Sequence, residues 1–273
     1  MILNVLISTY GPRIEEVERV LREPNVNVCY TVVHQCSRDD DYVEVINKLT
    51  QERDDVSYHS LYNKGLSRNR NKAVSVACGD ICLIMDDDVT LVPNFYEIIA
   101  QAFREQPEAD MISFQISEYD SGKLLKDYPV KAQRHDLKSI LKIGSIEMAI
   151  RLTSLQKKNI TFPEYLGAGT SLPACEEPVF LSRLIKSGAK LFYRPIVIGH
   201  HPILSSGKVF DKADTLICRG VAFREIYGST IGLAAVFYFY FKNRSKFNLV
   251  NQSPIMSLLK GYFMSQSDKT NKL

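Results

Sequence analysis

The chain lacks an excess of either charge: 34 Lys and Arg against 31 Asp and Glu leave a net charge of only +3 over 273 residues. That balance argues against nucleic acid as a partner. It also lacks a cysteine framework. Cys29, Cys36, Cys78, Cys82, Cys175 and Cys218 show neither zinc-type pairing nor the density of small secreted domains. The N-terminus has no basic stretch ahead of its apolar residues, so residues 2–8 predict a strand and not a signal peptide. The longest apolar run, residues 231–241, is far shorter than the roughly 20 residues that span a bilayer. Repeats and low-complexity linkers are missing as well. What remains is a globular chain, 45% hydrophobic and 24% charged, expected in the cytoplasm and either soluble or peripheral on the inner face of the cell membrane.

Up to about residue 115 short β-rich apolar runs alternate with helical patterns, the signature of stacked βα units. Strands are predicted over residues 2–8, 26–34, 56–59, 80–85 and 110–115, and helices over 13–22, 42–52, 66–78 and 94–105. Further on, a hairpin turn is expected at 119–122, a charged helix at 136–143 and a strand at 145–152. A glycine-rich loop at 167–170, an amphipathic helix at 177–186 and a strand at 190–198 complete the pattern. The fold class is α/β, with a mostly parallel central sheet flanked by helices and a C-terminal helical appendage. One domain is expected over 1–210, its nucleotide half ending near 117 and its acceptor half running over 118–210, with the appendage at 211–273.

The strongest chemical signal is an apolar strand that ends in three carboxylates, Asp86, Asp87 and Asp88. Ligands of open α/β sheets sit beyond the carboxyl ends of strands. Three adjacent carboxylates repel one another unless a cation neutralises them. A hard divalent cation, Mg²⁺ or Mn²⁺, does so and bridges nucleotide phosphates. A solvated acidic turn is the plainer alternative. Upstream, Lys64, Gly65, Arg68 and Arg70 open a predicted helix, a setting that suits a diphosphate but also describes many exposed helix starts.

In order and spacing, four motifs resemble the family 2 glycosyltransferases of GT-A fold: Thr9-Tyr10, Gly65-x-Ser67-x-x-Arg70-Asn71, Ala77-x-Gly79-Asp80 and Asp86-x-Asp88. Later come Glu176-Glu177 ahead of a helix, then a strand and His200-His201. The resemblance covers about residues 1–208, and the stretch 205–208 is similar to bacterial capsule and surface polysaccharide synthases. It implies that Thr9 and Tyr10 line the nucleotide site and that Arg70 approaches the diphosphate, with Lys64, Gly65, Arg68 and Lys208 among the donor contacts. Asp86 and Asp87 would hold the ribose and the metal's waters, Asp88 the metal itself, with one ligand from His200 or His201, His200 slightly preferred. Glu177, beside Glu176, stands where the family carries its general base, usually Asp. Two positions depart from the pattern: Gly11 replaces an expected Asn, and Gln35 follows His34 where an acid commonly reads the base.

The resemblance implies an inverting, metal-dependent transfer of a sugar from a nucleotide diphosphate donor, a UDP-sugar first among them, to a hydroxyl of a surface or capsular glycan, free or lipid-linked. Two alternatives stand beside it. One is a sugar-nucleotide-binding subunit without turnover. The other is a haloacid dehalogenase-like phosphatase, because Asp86 to Thr90 also fits Asp-x-Asp-x-Thr, although no second acidic pair follows. In the C-terminal segment, residues 231–241 are rich in Phe and Tyr and precede Lys242, Arg244 and Lys246. Such a segment suits an anionic membrane surface, or packing against the catalytic domain or a second subunit of a homo-oligomer.

Overall fold

The computed structural model describes residues 1–51, 53–202, 212–247 and 253–265. Its strands are β1 (Leu3–Tyr10), β2 (Val28–Gln35), β3 (Val56–Leu61), β4 (Ile81–Asp86), β5 (Thr90–Leu91), β6 (Met111–Glu118), β7 (Gln133–Arg134), β8 (Met148–Arg151) and β9 (Leu191–His201). Its helices are α1 (Val43–Gln51), α2 (Leu66–Val76), α3 (Phe95–Glu105), α4 (Leu152–Lys158), α5 (Glu176–Lys186), α6 (Ala213–Asn243) and α7 (Pro254–Phe263). The chain divides into two compact units. Met1–Lys64, Arg68–Thr161 and Leu184–Leu204 form the first; Gly65–Ser67, Phe162–Arg183 and Ser205–Leu273 form the second.

The first unit is built on one nine-stranded sheet in the order β3-β2-β1-β4-β8-β6-β9-β5, with β7 paired to β9. From β3 to β4 the pairing is parallel, as the βα alternation predicts. Beyond β4 the sheet is mixed, because β8 runs antiparallel between β4 and β6 while β6 and β9 are again parallel. Seven of the eight β1 residues are buried, as a strand covered on both faces requires. The direction reverses twice across β8, so β1, β2, β4, β6 and β9 all end at the same edge.

Three local predictions need correction. Residues Gly11–Arg19 form a 3-10 segment where an α-helix over 13–22 was expected. Ile14, Val17 and Val20, all buried, lie three residues apart, the spacing that stacks on one face of a 3-10 helix. The charged stretch at 136–143 is helical only as a 3-10 turn at Ser139–Lys142, because the Asp136 carboxylate accepts the backbone N–H groups of Lys138 and Ser139 at 3.0 and 2.7 Å. That side-chain turn competes with a helix. The strand expected from residue 145 begins at Met148, after a 3-10 turn at Ser145–Glu147. The hairpin turn at 119–122 is present, closed by Glu118 N–H to the Lys123 carbonyl at 2.7 Å.

The second unit is mostly helical. In α6 the backbone breaks at Gly228 (φ +74°, ψ −160°), a conformation that favours glycine. The two arms turn back on each other: the Phe223 and Phe239 rings meet at 5.7 Å, and the Arg219 guanidinium lies 4.8 Å over the Phe239 ring. Against this hairpin packs α7, with a glycine at each contact. A Cβ at Gly220 would collide with the Leu258 carbonyl, and one at Gly261 with that of Ile217.

Candidate active site

The strand order reverses at β1, which has β2 on one side and β4 on the other. Such a switch point opens a crevice at the carboxyl ends of the strands. Register brings Thr9 beside His34, Tyr10 beside Gln35 and Ser8 beside Asp86. Thr9 and Gln35 are buried and Tyr10 is half exposed. Gln35 donates its amide to the Asn63 carbonyl. Lys64 is exposed and Arg68 half-buried.

His34 fixes the turn that leaves β1. Burial pushes its imidazolium pKa down, so the ring is neutral near pH 7. Its Nε2 donates to the Gly11 carbonyl at 2.9 Å, and Nδ1 accepts from the Tyr58 hydroxyl at 3.0 Å. With φ +53°, Gly11 takes the left-handed conformation that this turn demands. The buried Asn69 amide ties the ends of β1 and β2 together, donating to the Val33 carbonyl at 2.8 Å and the Thr9 carbonyl at 3.3 Å.

That turn delivers Arg13, which sequence reasoning passed over, to the carboxylates after β4. Arg13 Nε lies 2.9 and 3.1 Å from the two oxygens of Asp87, and its Nη2 bonds Asp87 Oδ1 and, at 2.9 Å, Asp88 Oδ2. Burial pushes the Asp87 pKa up, and Arg13 offsets only part of the shift. For Asp88 burial also acts upward, but His201 and Arg13 outweigh it and hold the carboxyl below its usual range. The signal available in the sequence was position: Arg13 lies in the first turn after β1, at the same edge as the acidic triplet.

The histidines separate. His201 Nε2 stands 3.3 Å from Asp88 Oδ1, and this contact raises its pKa. His200 instead meets the Ser117 hydroxyl at 2.6 Å and lies edge-on to Tyr119. Side chains alternate along β9, and of the two histidines His201 is the one beside Asp88. Arg70, 2% exposed, bonds Asp86 Oδ1 at 3.2 Å and the Ser145 hydroxyl at 2.7 Å. A cavity of about 490 Å³ lies beside Asp88, lined by Arg19, Thr90, Tyr119, Asp120 and Pro202. Among the described residues no three acidic, histidine or cysteine side chains converge as a metal site. Lys208 and the stretch 205–207 lie outside the described residues.

Glu176 and Glu177 belong to the second unit, at the start of α5. Glu176 is buried and Glu177 half-buried. Cys175, just before them, holds a positive φ of +73°, which is strained for a residue with a side chain. The loop 167–170 closes on the first residues of α2: Leu66 N–H reaches the Ala168 carbonyl at 2.9 Å and the Ser67 hydroxyl the Leu166 carbonyl at 2.7 Å. A Cβ at Gly167 would stand 3.1 Å from the Glu176 carboxyl carbon, so glycine admits that side chain closely.

An α/β sheet with carboxylates and guanidiniums gathered at its switch point has the architecture in which open sheets bind ligands beyond their strand ends. The model of glycosyl transferase family 2 matches residues 14–160, and the chain belongs to that family. Its fold is GT-A and it is a glycosyltransferase, which removes the phosphatase alternative. The Staphylococcus aureus TarS fragment 1–349 is similar in structure, with a TM-score of 0.67 and 15% identity over 96% of this chain and 81% of that one. The same fragment in complex with UDP-GlcNAc has a TM-score of 0.64 at 16% identity, covering 96% and 79%. The mannosyltransferase PcManGT from Pyrobaculum calidifontis, in complex with GDP-Man and Mn²⁺, has a TM-score of 0.54 at 15% identity, covering 96% and 69%. No curated protein matches the chain in sequence.

Proposed function

We propose that this chain is an inverting, metal-dependent glycosyltransferase that moves a sugar from a nucleoside diphosphate donor, a UDP-sugar first among them, to a hydroxyl of a surface or capsular glycan, free or lipid-linked. The observation that carries the proposal is the carboxylate turn after β4, with Asp88 shared between Arg13 and His201. The UDP, UDP-GlcNAc and GDP-Man complexes of the structural neighbours support the donor class.

A divalent cation fits this turn by donor chemistry. Asp88 Oδ1 is buried without a hydrogen-bond partner, and His201 Nε2 stands 3.3 Å from it. Mg²⁺ and Mn²⁺ are commonly held by one or two protein groups together with substrate phosphates and water. Asp88 and His201 would hold the cation, Asp86 and Asp87 the ribose and the cation's waters. When bound, the cation offsets the charge that builds on the departing diphosphate.

The chain's own groups do the rest. Thr9, Tyr10 and Gln35 line the nucleoside; Lys64, Gly65, Arg68, Arg70 and Lys208 serve the diphosphate. Glu177 takes the proton of the acceptor hydroxyl while that oxygen bonds the anomeric carbon and the bond from this carbon to the diphosphate breaks. A single displacement inverts configuration. Residues 1–210 form the catalytic domain in this proposal, with 211–273 as the appendage.

No helix among the described residues is long and apolar enough to cross a membrane. In α6, however, Ile231, Tyr238 and Phe241 are more than 60% exposed, and Lys242 lies 5.6 Å over the Tyr238 ring. This aromatic and basic face supports a peripheral site on the cytoplasmic side of an anionic membrane, where a lipid-linked acceptor would be met. A thermal-shift screen of UDP, GDP, CDP and dTDP, each with Mn²⁺ and with chelator, tests the donor and the cation together. Stabilisation by UDP only with Mn²⁺ is expected. Equal shifts in chelator overturn the metal, and no shift with any nucleotide overturns the donor site.

A further inference from the structure

The acidic turn after β4 carries its own cations. Three carboxylates, Asp86 to Asp88, meet two guanidiniums: Arg70 on Asp86, and Arg13 on Asp87 and Asp88. Counting these five side chains alone, one net negative charge remains. Arg13 is no drifting surface side chain, although 52% of it is exposed. It follows Gly11, whose carbonyl is held by His34, and Pro12, whose ring fixes φ, and its planar fork spans both carboxylates.

Adding a divalent cation alone to one net negative charge leaves the turn positive, with Arg13 in contact with the carboxylate that would bind the ion. Adding a diphosphate with the cation brings the balance back to one negative charge. We propose that Arg13 is the resident counter-cation of this turn and makes cation binding there conditional on the donor's diphosphate. The inference rests on the proposed metal-dependent donor site and adds to it a residue that sets the order of loading. The cation enters and leaves with the nucleotide, and the enzyme does not hold a bare ion between turnovers. Asp88 divides accordingly: Oδ2 belongs to Arg13, and Oδ1 faces His201.

The test is binding of Mn²⁺ to the full chain, followed by electron paramagnetic resonance of the free ion, with and without UDP. The wild-type protein is expected to take up Mn²⁺ weakly alone and strongly with UDP. Arg13→Gln should bind Mn²⁺ alone about tenfold more tightly than wild type, because a like charge beside the site is gone, and should gain less from UDP. Arg13→Met, which keeps the aliphatic stem, should behave as Arg13→Gln. If neither neutral variant folds, Arg13→Lys decides: a single ammonium cannot span both carboxylates, so the gain from UDP must fall at least about threefold. Equal or weaker binding of Mn²⁺ by the neutral variants, or an unchanged gain in Arg13→Lys, overturns the proposal. If wild type takes up Mn²⁺ with UDP while the variants match it without, only the role of Arg13 falls. If UDP binds and no protein takes up Mn²⁺, the metal site falls with it.

Discussion

In the first unit, polar side chains stand at strand ends and close on one another as ion pairs, Arg13 with Asp87 and Asp88, Arg70 with Asp86. In the second, the acids Glu176 and Glu177 open a helix beside a glycine loop, and the main chains of α6 and α7 meet at Gly220 and Gly261 among the buried side chains of Ile217, Leu258 and Tyr262. The first arrangement fixes charge at the strand ends, where the proposed donor would bind. The second leaves two carboxylates in the first turn of α5, at the positive end of the helix. The proposed roles, donor binding at the strand ends and proton removal by Glu177, follow that contrast, and each expected outcome below can break it.

The largest effect is expected for Glu177→Gln. The amide keeps the shape of the side chain, so UDP and Mn²⁺ binding should persist while turnover falls by about 10² to 10⁴. Glu176→Gln should cost less. Turnover of both variants, with the anomeric coupling of the product by NMR, checks this; retention of configuration or a fast Glu177→Gln enzyme would take Glu177 out of the chemistry.

Next in size is Gly261→Val. Its side chain has no room against the Ile217 carbonyl, so the α6 and α7 contact should loosen by about 1–3 kcal/mol. Hydrogen exchange should then rise in α6 and α7 and stay unchanged in β1 and β4. Uniform loss of protection would mean that the units do not differ as described.

Acid should act on the first unit. Burial pushes the His135 pKa down to about 4 from 6.5, and its ring nitrogens meet the Ser113 and Ser139 hydroxyls at 2.8 and 3.1 Å. The unfolded chain therefore binds a proton that the folded chain refuses between about pH 6.5 and pH 4. Stability falls as pH drops through that window, by up to about 3 kcal/mol from this group, and the loss levels off below it. Urea midpoints at pH 7.5 and pH 5 should differ less in His135→Gln than in the parent.

A smaller change is expected for Ser145→Ala, which removes one hydrogen bond from the buried Arg70 guanidinium. Donor affinity should fall about fivefold, the equivalent of about 1 kcal/mol, as read by calorimetry with UDP. The smallest effect belongs to the aromatic face of α6. Truncation after Gly228 should leave UDP binding intact and weaken attachment to anionic vesicles, which added salt should also weaken. No attachment of the full chain at low salt would make that face a packing or subunit surface.

Much of the fold was legible because β1, β2 and β4 are continuous apolar runs between turn residues, and burial on both faces leaves such runs few alternatives. The 3-10 segment was not, since Ile14, Val17 and Val20 fit a three-residue period as well as one of 3.6. The break at Gly228 was hidden inside an apolar stretch that reads as one helix. Within the site, the carboxylate triplet announced itself as a run of like charge. Arg13 did not, because its partners lie more than 70 residues away and depend on a left-handed turn at Gly11.

The crossing of α6 over α7 has a thermal consequence. Glycines at 220 and 261 bring the main chains together, and around them Ile217 and Val221 of α6 and Leu258 and Tyr262 of α7 are buried. The heat capacity of unfolding follows exposed apolar area. Opening this contact therefore raises the heat capacity, and the crossing should weaken on cooling together with the aliphatic interior around β1.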